Sequence, residues 1–414
     1  MGGRALCLSV AFIVVGRGAA GAQDRPDAAA AVAPRAAEQV ATLDVGDLWR
    51  MARHKQASDD DSRRDFFVAA PSVGSKPSTG FNGGVSGNVA FFLGDPKTTH
   101  ISSVTGGVKF SQKKQTLSGI KFTTFTDDDR WLFLGDNRLS WTSLNTYSLG
   151  ASSTAAGAEN LKYDYFRFYE TAYHQVKPGL FVGLGLNISD HQNVRPGTGA
   201  EATWNQSAFV AYNEQHGFNT GRQTSSGTSI GLSYDTRDNG INAQRGVLAS
   251  TTYRTFFDGF LDGNSTWQEL DFDVRTYKKL TTNARNNVAF WFLGDFVTGG
   301  TPPYLDLPAT ASQEQRSARG YGEGRYRGEH LLYGEIEYRG TLTNNGLVGL
   351  VLFLNTTTVD NAAAKEKLFD SFAPGAGFGF RFLLNKRSRT NLCTDYGWGK
   401  DDSRGFYLAI QEAF

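Results

Sequence analysis

The sequence lacks the features that mark several common protein classes. Among 414 residues it has two cysteines, Cys7 and Cys393, and Cys7 lies in a predicted signal peptide, so no internal disulfide is expected. A cysteine metal site needs clustered ligands, and we predict neither a metal nor any other cofactor. The formal net charge is +1, which gives no strongly basic surface, so nucleic acid is not an expected partner. Beyond the N-terminus no apolar run reaches the roughly 20 residues of a membrane helix, but this leaves a transmembrane barrel possible because barrel strands are short.

The N-terminal residues predict export. Residues 1–22 combine Arg4, the apolar stretch 5–15 and small residues at 20–22, as in a secretory signal peptide rather than a buried strand. Residues 23–65 are rich in alanine and charge and predict a periplasmic linker. Within this linker, residues 45–54 predict one short helix, which is either a docking segment or a residual helix.

From residue 66 onward the chain alternates short strands, rich in aromatic and β-branched residues, with turns. We therefore predict an all-β fold, a 16-stranded antiparallel transmembrane β-barrel over residues 66–414. The predicted strands are 66–74, 81–92, 99–110, 115–125, 131–140, 165–175, 180–191, 228–235, 247–257, 265–280, 287–296, 330–339, 347–355, 376–384, 391–398 and 405–414. Residues 204–213 are assigned to a loop.

Connection lengths and side-chain alternation both favour a bacterial outer-membrane barrel. Every second connection is short, whereas the long ones, 141–164, 192–227, 297–329 and 356–375, all fall at the other end. Such barrels have short periplasmic turns and long extracellular loops, so both termini are predicted to be periplasmic. In residues 376–384 three phenylalanines alternate with glycine and arginine, which suits a lipid face and a polar lumen.

The C-terminal strand carries a predicted terminal barrel signal. Its four apolar residues share one parity and end the chain on an aromatic ring: Phe406, Leu408, Ile410 and Phe414. Glu412 interrupts this row, and we expect it near the membrane interface.

Three ordered segments resemble the BamA/TamA-type outer-membrane assembly superfamily, also called the bacterial surface antigen family. Residues 318–321, Ala-Arg-Gly-Tyr, are similar to its Val-Arg-Gly-Phe/Tyr loop motif. Residues 234–238 and 244–246 resemble its Asp-Ser/Thr-Arg-Asp turn, and residues 378–414 resemble its closing strands. The resemblance covers the whole predicted barrel, and the linker is too short for a POTRA domain, so the chain resembles a member that lacks POTRA domains.

The resemblance implies a lumenal latch formed by the long loop before residue 330. In this hypothesis Arg319 folds into the lumen and pairs with an inward carboxylate, Glu337 first and Glu335 second. The alternative is that Arg319 is one of several solvated loop arginines. The predicted latch contains Arg319, Gly320, Tyr321, Glu335, Glu337 and Arg381. Asn355 stands where the family often has an acid, so it adds no second charge.

The second motif predicts a periplasmic turn held by charge, although a solvated turn is the simpler alternative. Its residues are Asp235, Arg237, Asp238, Arg245 and Gly246.

The function implied by the resemblance is insertion or assembly of proteins or lipids in the cell outer membrane. The expected partners are outer-membrane lipids and unfolded outer-membrane protein or lipid clients, with the barrel itself monomeric. The alternative function is a passive porin or small-solute channel. No enzyme is predicted and no catalytic residue is assigned, because the sequence has no Gly-x-Ser-x-Gly elbow.

Overall fold

The computed structural model describes residues 42–53, 66–76, 79–156, 158–281, 286–312 and 316–414. The predicted signal peptide and the parts of the predicted linker on either side of residues 42–53 lie outside the described residues.

Sixteen strands form one closed antiparallel barrel, as predicted, in which each strand pairs with its sequence neighbours and β1 closes on β16. Most predicted strands agree with the observed ones to within a few residues. The strands are β1 Phe66–Lys76, β2 Gly80–Phe91, β3 Ser102–Ser111, β4 Thr116–Phe125, β5 Trp131–Thr146, β6 Glu159–Lys177, β7 Leu180–Pro196, β8 Gln223–Asp235, β9 Gly246–Phe256, β10 Trp267–Lys279, β11 Asn287–Gly300, β12 His330–Thr341, β13 Val348–Val359, β14 Ala373–Asn385, β15 Thr390–Trp398 and β16 Arg404–Ile410.

Side chains alternate between an apolar outer face and a polar lumen, because successive residues of a strand point to opposite faces. In β8, Ile230 and Leu232 are exposed whereas Ser229 and Ser233 are buried. In β14 the three outward phenylalanines are 38–39% exposed. An exposed apolar belt of this kind is what a bilayer covers, and it confirms the predicted faces.

The four longest connections all lie at the same end of the barrel, which distinguishes its two ends. At the turn end the connections are 92–101, 126–130, 178–179, 236–245, 280–286, 342–347 and 386–389. At the loop end the long connections are 147–158, 197–222, 301–329 and 360–372. Residues 204–213 form no strand, as predicted, but the sequence analysis missed that this loop contains helix α2, Ala208–Gln215.

Packed side chains from several loops build an apolar core at the loop end. Phe209 of α2 lies against Tyr304 with ring centroids 5.6 Å apart, and both residues are fully buried. Arg327 donates hydrogen bonds of 2.8–3.0 Å to the carbonyl oxygens of residues 304, 305 and 307. The long loops are therefore an ordered part of the molecule that covers the lumen around strands β5 to β8.

Helix α1, Val45–Ala52, precedes the barrel where the sequence predicted a short helix. Asp44 and Asp47 begin it with a capping box, in which each carboxylate accepts the backbone N–H of the other residue. Among the described residues before β1, α1 is the only helix or strand. No helix in the described part of the chain is long and apolar enough to cross a membrane.

The C-terminal strand is shorter than predicted, because β16 ends at Ile410 rather than at residue 414. Gln411 has a left-handed φ of 73° and turns the last residues into the lumen. Phe406 keeps the predicted outward position, Leu408 is half-buried, and Ile410 and Phe414 are buried. Residues 411–414 therefore do not continue the last strand as predicted, and Glu412 is buried rather than interfacial. Burial of the Glu412 carboxylate beside lumenal arginine explains both differences. The role of the four apolar residues as a terminal barrel signal stays a prediction.

Candidate functional site

The loop 301–329 folds into the lumen and carries Arg319 to a site where its side chain is 2% exposed. The guanidinium donates to Glu335 and Glu337 and forms a 2.9 Å hydrogen bond to Asp395. Both glutamates lie on the inward face of β12, two residues apart, and Asp395 faces them from β15. The structure therefore brings Arg319 together with both predicted carboxylates and with a third that the sequence analysis did not assign.

Gly320 allows the loop to approach the barrel wall closely. Its φ of +109° is strained for other residues, and an added Cβ would lie 2.7 Å from the backbone of Trp398. The Gly320 N–H donates to the Tyr407 hydroxyl at 3.0 Å, and its carbonyl oxygen accepts from Ser403 at 2.7 Å. The hydroxyl of the next residue, Tyr321, accepts the Lys400 N–H at 2.8 Å. These contacts hold Gly320 and Tyr321 beside β15 and β16.

Two residues of β13 complete the setting of Arg319. The guanidinium carbon lies 3.7 Å from the centre of the Phe353 ring, within cation–π range. The Asn355 amide donates to the Arg319 carbonyl oxygen at 3.1 Å and lies 3.4 Å from Glu335. Asn355 supplies no charge, as predicted, but its amide holds the backbone of the latch.

Ion pairs continue from Arg319 through the lumen. Arg381, a predicted latch residue, does not contact Arg319 directly. The two arginines share Asp395, to which Arg381 donates a hydrogen bond of 2.6 Å. Arg381 also donates to Glu412 at 2.7 Å. On the other side, Glu337 accepts a 2.6 Å hydrogen bond from Arg339. The latch is thus the centre of a buried network that joins the loop to strands β12, β14 and β15 and to the C-terminal residues.

The last four residues, 411–414, form a C-terminal tail that this network holds inside the barrel. Arg316 of the loop donates to the carbonyl oxygens of residues 410, 411 and 412. Arg339 donates to the Phe414 carbonyl oxygen at 2.8 Å, and the Phe414 ring stacks on Trp291 with centroids 4.9 Å apart. Guanidinium groups, aromatic packing and one carboxylate therefore fix a segment that the sequence analysis placed in the barrel wall.

Four residues of this network were not predicted, and the sequence indicates them to different degrees. Asp395 lies within the segment that resembles the closing strands and on the inward parity of β15, so parity could have indicated it. Arg316, Arg339 and Glu412 meet only because the chain turns inward at residue 411, and no local pattern in the sequence indicates that turn.

The second predicted site lies at the turn end and is held together by charge. Asp235 accepts from the Arg237 guanidinium at 2.6 and 2.9 Å. Asp238 accepts the backbone N–H groups of residues 244 and 245 and a 2.8 Å hydrogen bond from Arg389, in the turn after β14. Arg245 contributes its backbone, and its side chain is exposed.

Two further features show how this turn is built. Burial raises the pKa of Asp238, but hydrogen bonds from Arg389 and from the Gln244 backbone outweigh that effect and hold the pKa below its ordinary value. Gly246 has a φ of +103°, and an added Cβ would lie 2.2 Å from the Thr236 carbonyl oxygen. The motif is therefore an ordered contact between two turns and not a solvated one.

Strands β1 and β16 form the weakest junction in the barrel wall. Among the described residues they are in register at two positions, Gly74 with Tyr407 and Ser75 with Phe406. By contrast, β1 pairs with β2 along its whole length, Phe66–Lys76. In the part of the chain that the structure describes, residues 66–73 have no register partner in β16, although the Ser72 hydroxyl donates to the Leu408 carbonyl oxygen at 3.4 Å. We call this junction the seam.

The lumen beside β1 to β5 holds a cavity of about 660 Å³, which lies next to the seam. Its lining includes cationic and anionic side chains, among them Lys121, Asp136 and Arg138. The described residues contain no group of three or more His, Cys, Asp or Glu side chains placed to hold a metal ion. The arrangement offers an edge of backbone donors and acceptors beside a polar chamber.

Comparison with known proteins gives a family match and several fold matches. Residues 97–414 match the Omp85 superfamily domain. No curated protein matches the chain. BamA from Haemophilus ducreyi lacking POTRA domains 1–3 is similar in fold, with 13% identity and a TM-score of 0.52 over 84% of this chain and 70% of that chain.

Two further solved structures share the fold. CdiB from Acinetobacter baumannii has 10% identity and a TM-score of 0.53 over 84% of this chain and 59% of that chain. CdiB from Escherichia coli has 11% identity and a TM-score of 0.50 over 83% of this chain and 62% of that chain. The chain thus spans less than two thirds of either CdiB, and at these identities the similarity concerns the fold.

Proposed function

The chain belongs to the Omp85 superfamily, and we propose that it assists the insertion or assembly of proteins or lipids in the outer membrane through its seam. Members of this superfamily reside in the outer membrane. We place this protein there as a monomeric barrel, with both termini and the turn end in the periplasm. Its clients in this proposal are unfolded outer-membrane proteins or lipids.

The observation that carries the proposal is the unpaired edge of β1. Among the described residues β16 is in register with β1 only at Gly74 and Ser75, so the side of residues 66–73 that faces β16 lacks the continuous ladder that β2 supplies on the other side. In a bilayer an unsatisfied backbone group costs several kcal/mol, so such an edge favours a new strand partner. An incoming strand can add to it by β-augmentation.

Pro71 supports this assignment of the edge. The register between β1 and β2 continues through the pair Pro71 and Val85. Proline has no N–H to donate to a ladder and is confined in sheets to edge strands, strand starts and bulges. Its presence in the middle of β1 therefore fits a strand with one free edge.

The C-terminal tail limits how far β16 can follow β1. An extended β16 would bring residues 411–414 alongside the first half of β1, but Arg316, Arg339 and Arg381 hold those residues in the lumen. The latch network thus stabilises the arrangement in which the edge of β1 is available.

A disulfide across the seam tests the proposal. In a Cys393→Ser background, Ser75→Cys with Phe406→Cys joins two paired outward positions of β1 and β16. Val85→Cys with Val108→Cys joins two paired outward positions of β2 and β3 and is the matched control. We expect oxidation of the seam pair, and not of the control pair, to reduce outer-membrane protein or lipid assembly in a complemented deletion strain, with recovery after reduction. Normal assembly with a fully oxidised seam would contradict the proposal.

A passive channel is the second candidate function, and the cavity of about 660 Å³ with its charged lining is the observation that favours it. Planar-bilayer recordings of the purified barrel distinguish the two functions. Steady, solute-selective conductance together with unchanged outer-membrane composition in a deletion strain would favour the channel. The absence of catalytic activity stays a prediction.

A further inference from the structure

We propose that helix α1 is an interfacial helix, which lies with its apolar face in the headgroup region of the membrane leaflet at the turn end. The proposal adds a lipid-binding surface to the molecule and does not depend on what the seam does.

Helix α1 is attached to the barrel through its polar side. The Lys386 side chain donates to Asp47 at 2.7 Å, and the Lys386 backbone N–H donates to Asp44 at 3.0 Å. Just before the helix, the Leu43 N–H donates to the carbonyl oxygen of Asn345 at 3.1 Å. Burial raises the pKa of Asp47, but hydrogen bonds from Lys386 and Arg50 outweigh that effect and lower the pKa to about 2. The Asp47 carboxylate therefore stays charged at physiological pH.

The apolar side of α1 points away from the barrel. Val45, Leu48 and Trp49 are 42%, 41% and 61% exposed, and no residue of the helix is buried. Residues 45, 48, 49 and 52 follow the spacing of one helix face. A helix that packs on a soluble domain buries this face, whereas α1 docks by its charges and leaves its apolar residues outside.

The position of the helix identifies lipid as the occupant of this face. Lys386 directly follows β14, whose outward row Phe378, Phe380 and Phe382 belongs to the lipid-facing belt. At a rise of about 3.4 Å per residue, Lys386 lies about 7 Å along the strand from Leu384, the last outward position. That distance falls within the headgroup layer, which is several ångströms deep on each side of the hydrocarbon core. The apolar face of α1 is thus continuous with the surface that the bilayer already covers.

Residue chemistry agrees with an interfacial location. Trp49 is the most exposed apolar residue of the helix, and tryptophan is enriched where bilayer meets water. The Arg53 guanidinium lies 4.2 Å from the centre of the Trp49 ring, so a cation accompanies the ring at the level of lipid phosphates. The cavities at the turn end receive no lining residue from α1, so among the described residues the helix lies at the rim and not across the opening.

Spin labels on the two sides of α1 test the proposal. Full-length barrel in phospholipid nanodiscs would carry one cysteine in a Cys393→Ser background, either Leu48→Cys or Ala52→Cys on the apolar side, or Arg50→Cys on the polar side. Heat-modifiable migration on gels confirms that each variant is folded. Power saturation then compares the access of oxygen, which partitions into lipid, with that of a water-soluble nickel chelate.

We expect the ratio of oxygen access to nickel access to be several-fold higher at position 48 than at position 50, with position 52 following position 48. High nickel access at positions 48 and 50 alike would show a water-exposed helix and would overturn the proposal. Protection of position 48 from both reagents would show that protein covers this face, which also overturns it.

Discussion

A single residue, Arg319, makes many of the contacts that organise the lumen. Its guanidinium contacts three carboxylates on two strands and the face of Phe353, while its carbonyl oxygen is held by Asn355. Burying that many charges is costly unless each is paired. The site therefore favours the one arrangement of the loop in which every charge keeps its partner.

We therefore expect Arg319→Ala to reduce the free energy of unfolding by about 3–5 kcal/mol, because it leaves buried carboxylates uncompensated. Glu337→Gln should also destabilise the barrel, because Arg319 loses one of its three carboxylate partners and Arg339 loses the carboxylate that it contacts. Arg319→Lys should recover only part of the loss, because an ammonium cannot reproduce the planar fork. Urea unfolding of the barrel in lipid vesicles measures these changes.

The controls for the latch are an exposed arginine and a double mutant. Arg404→Ala, at the exposed start of β16, should change the free energy of unfolding by less than about 0.5 kcal/mol. The double mutant Arg319→Ala with Glu337→Gln should cost less than the sum of the single changes. Full additivity would show that the two side chains do not interact in the membrane.

For single residues, the sequence predicts the carboxylate partners of Arg319 that are close to it along the chain and does not predict the one that is distant in sequence. Strand parity places Glu335 and Glu337 inward on the strand that follows the loop directly. Asp395 lies 76 residues from Arg319, and parity alone cannot say which distant strand the loop will approach. Contact with Asp395 depends on the position of β15 in the closed barrel.

Among the structural elements, the C-terminal tail differs most from its prediction, because it leaves the strand after Ile410. We expect Phe414→Ala to release it, because the ring loses its stacking on Trp291 and its contact with the Arg339 guanidinium, 5.0 Å from the ring centre. A cysteine at Ala413 in a Cys393→Ser background reports the release through its rate of maleimide labelling. Labelling should be slow with Phe414 and faster with Phe414→Ala, and equal rates would contradict inward anchoring by the ring.

The lipid-facing belt gives a second prediction at this scale. Phe380→Arg should destabilise the barrel by about 2–4 kcal/mol if the residue lies near the bilayer midplane. Thr123→Arg is the matched control, because Thr123 lines the lumenal cavity, where an added cation can be solvated. Gly379 is unsuitable as the control, since a Cβ there would lie 1.9 Å from the Asp395 carboxylate. Similar losses in the urea unfolding of both variants would mean that the faces are wrongly assigned.

Element boundaries were predictable where the membrane dictates them and less so elsewhere. Within the bilayer, alternation and turn residues define the strands, so β4 and β12 begin and end within about two residues of their predicted bounds. Strands β6 and β7 extend further at the loop end, where they continue to pair with each other beyond the apolar belt. Pairing there depends on the neighbouring strand and not on an alternating pattern.

At the scale of the whole molecule, the two ends of the barrel differ in kind. The loop end is covered by a packed core that includes Phe209 and Tyr304. The turn end carries charged turns, the part of β1 that has no register partner in β16 among the described residues, and helix α1. The features that suit an exchange of strands or lipids thus lie together at the turn end. This arrangement serves a periplasmic client only if the turn end faces the periplasm.

Orientation is therefore the prediction on which the proposed function depends most. Gln215→Cys places an exposed thiol on the loop that follows β7, and Arg245→Cys places one on the turn before β9. In intact cells a membrane-impermeant maleimide should label position 215 and leave position 245 unlabelled, because the outer membrane shields the periplasm. After the outer membrane is permeabilised, both positions should react, which shows that each thiol is accessible. The reverse pattern in intact cells would place the seam edge and α1 at the cell surface, where no newly exported strand arrives, and the assembly proposal would fail with it.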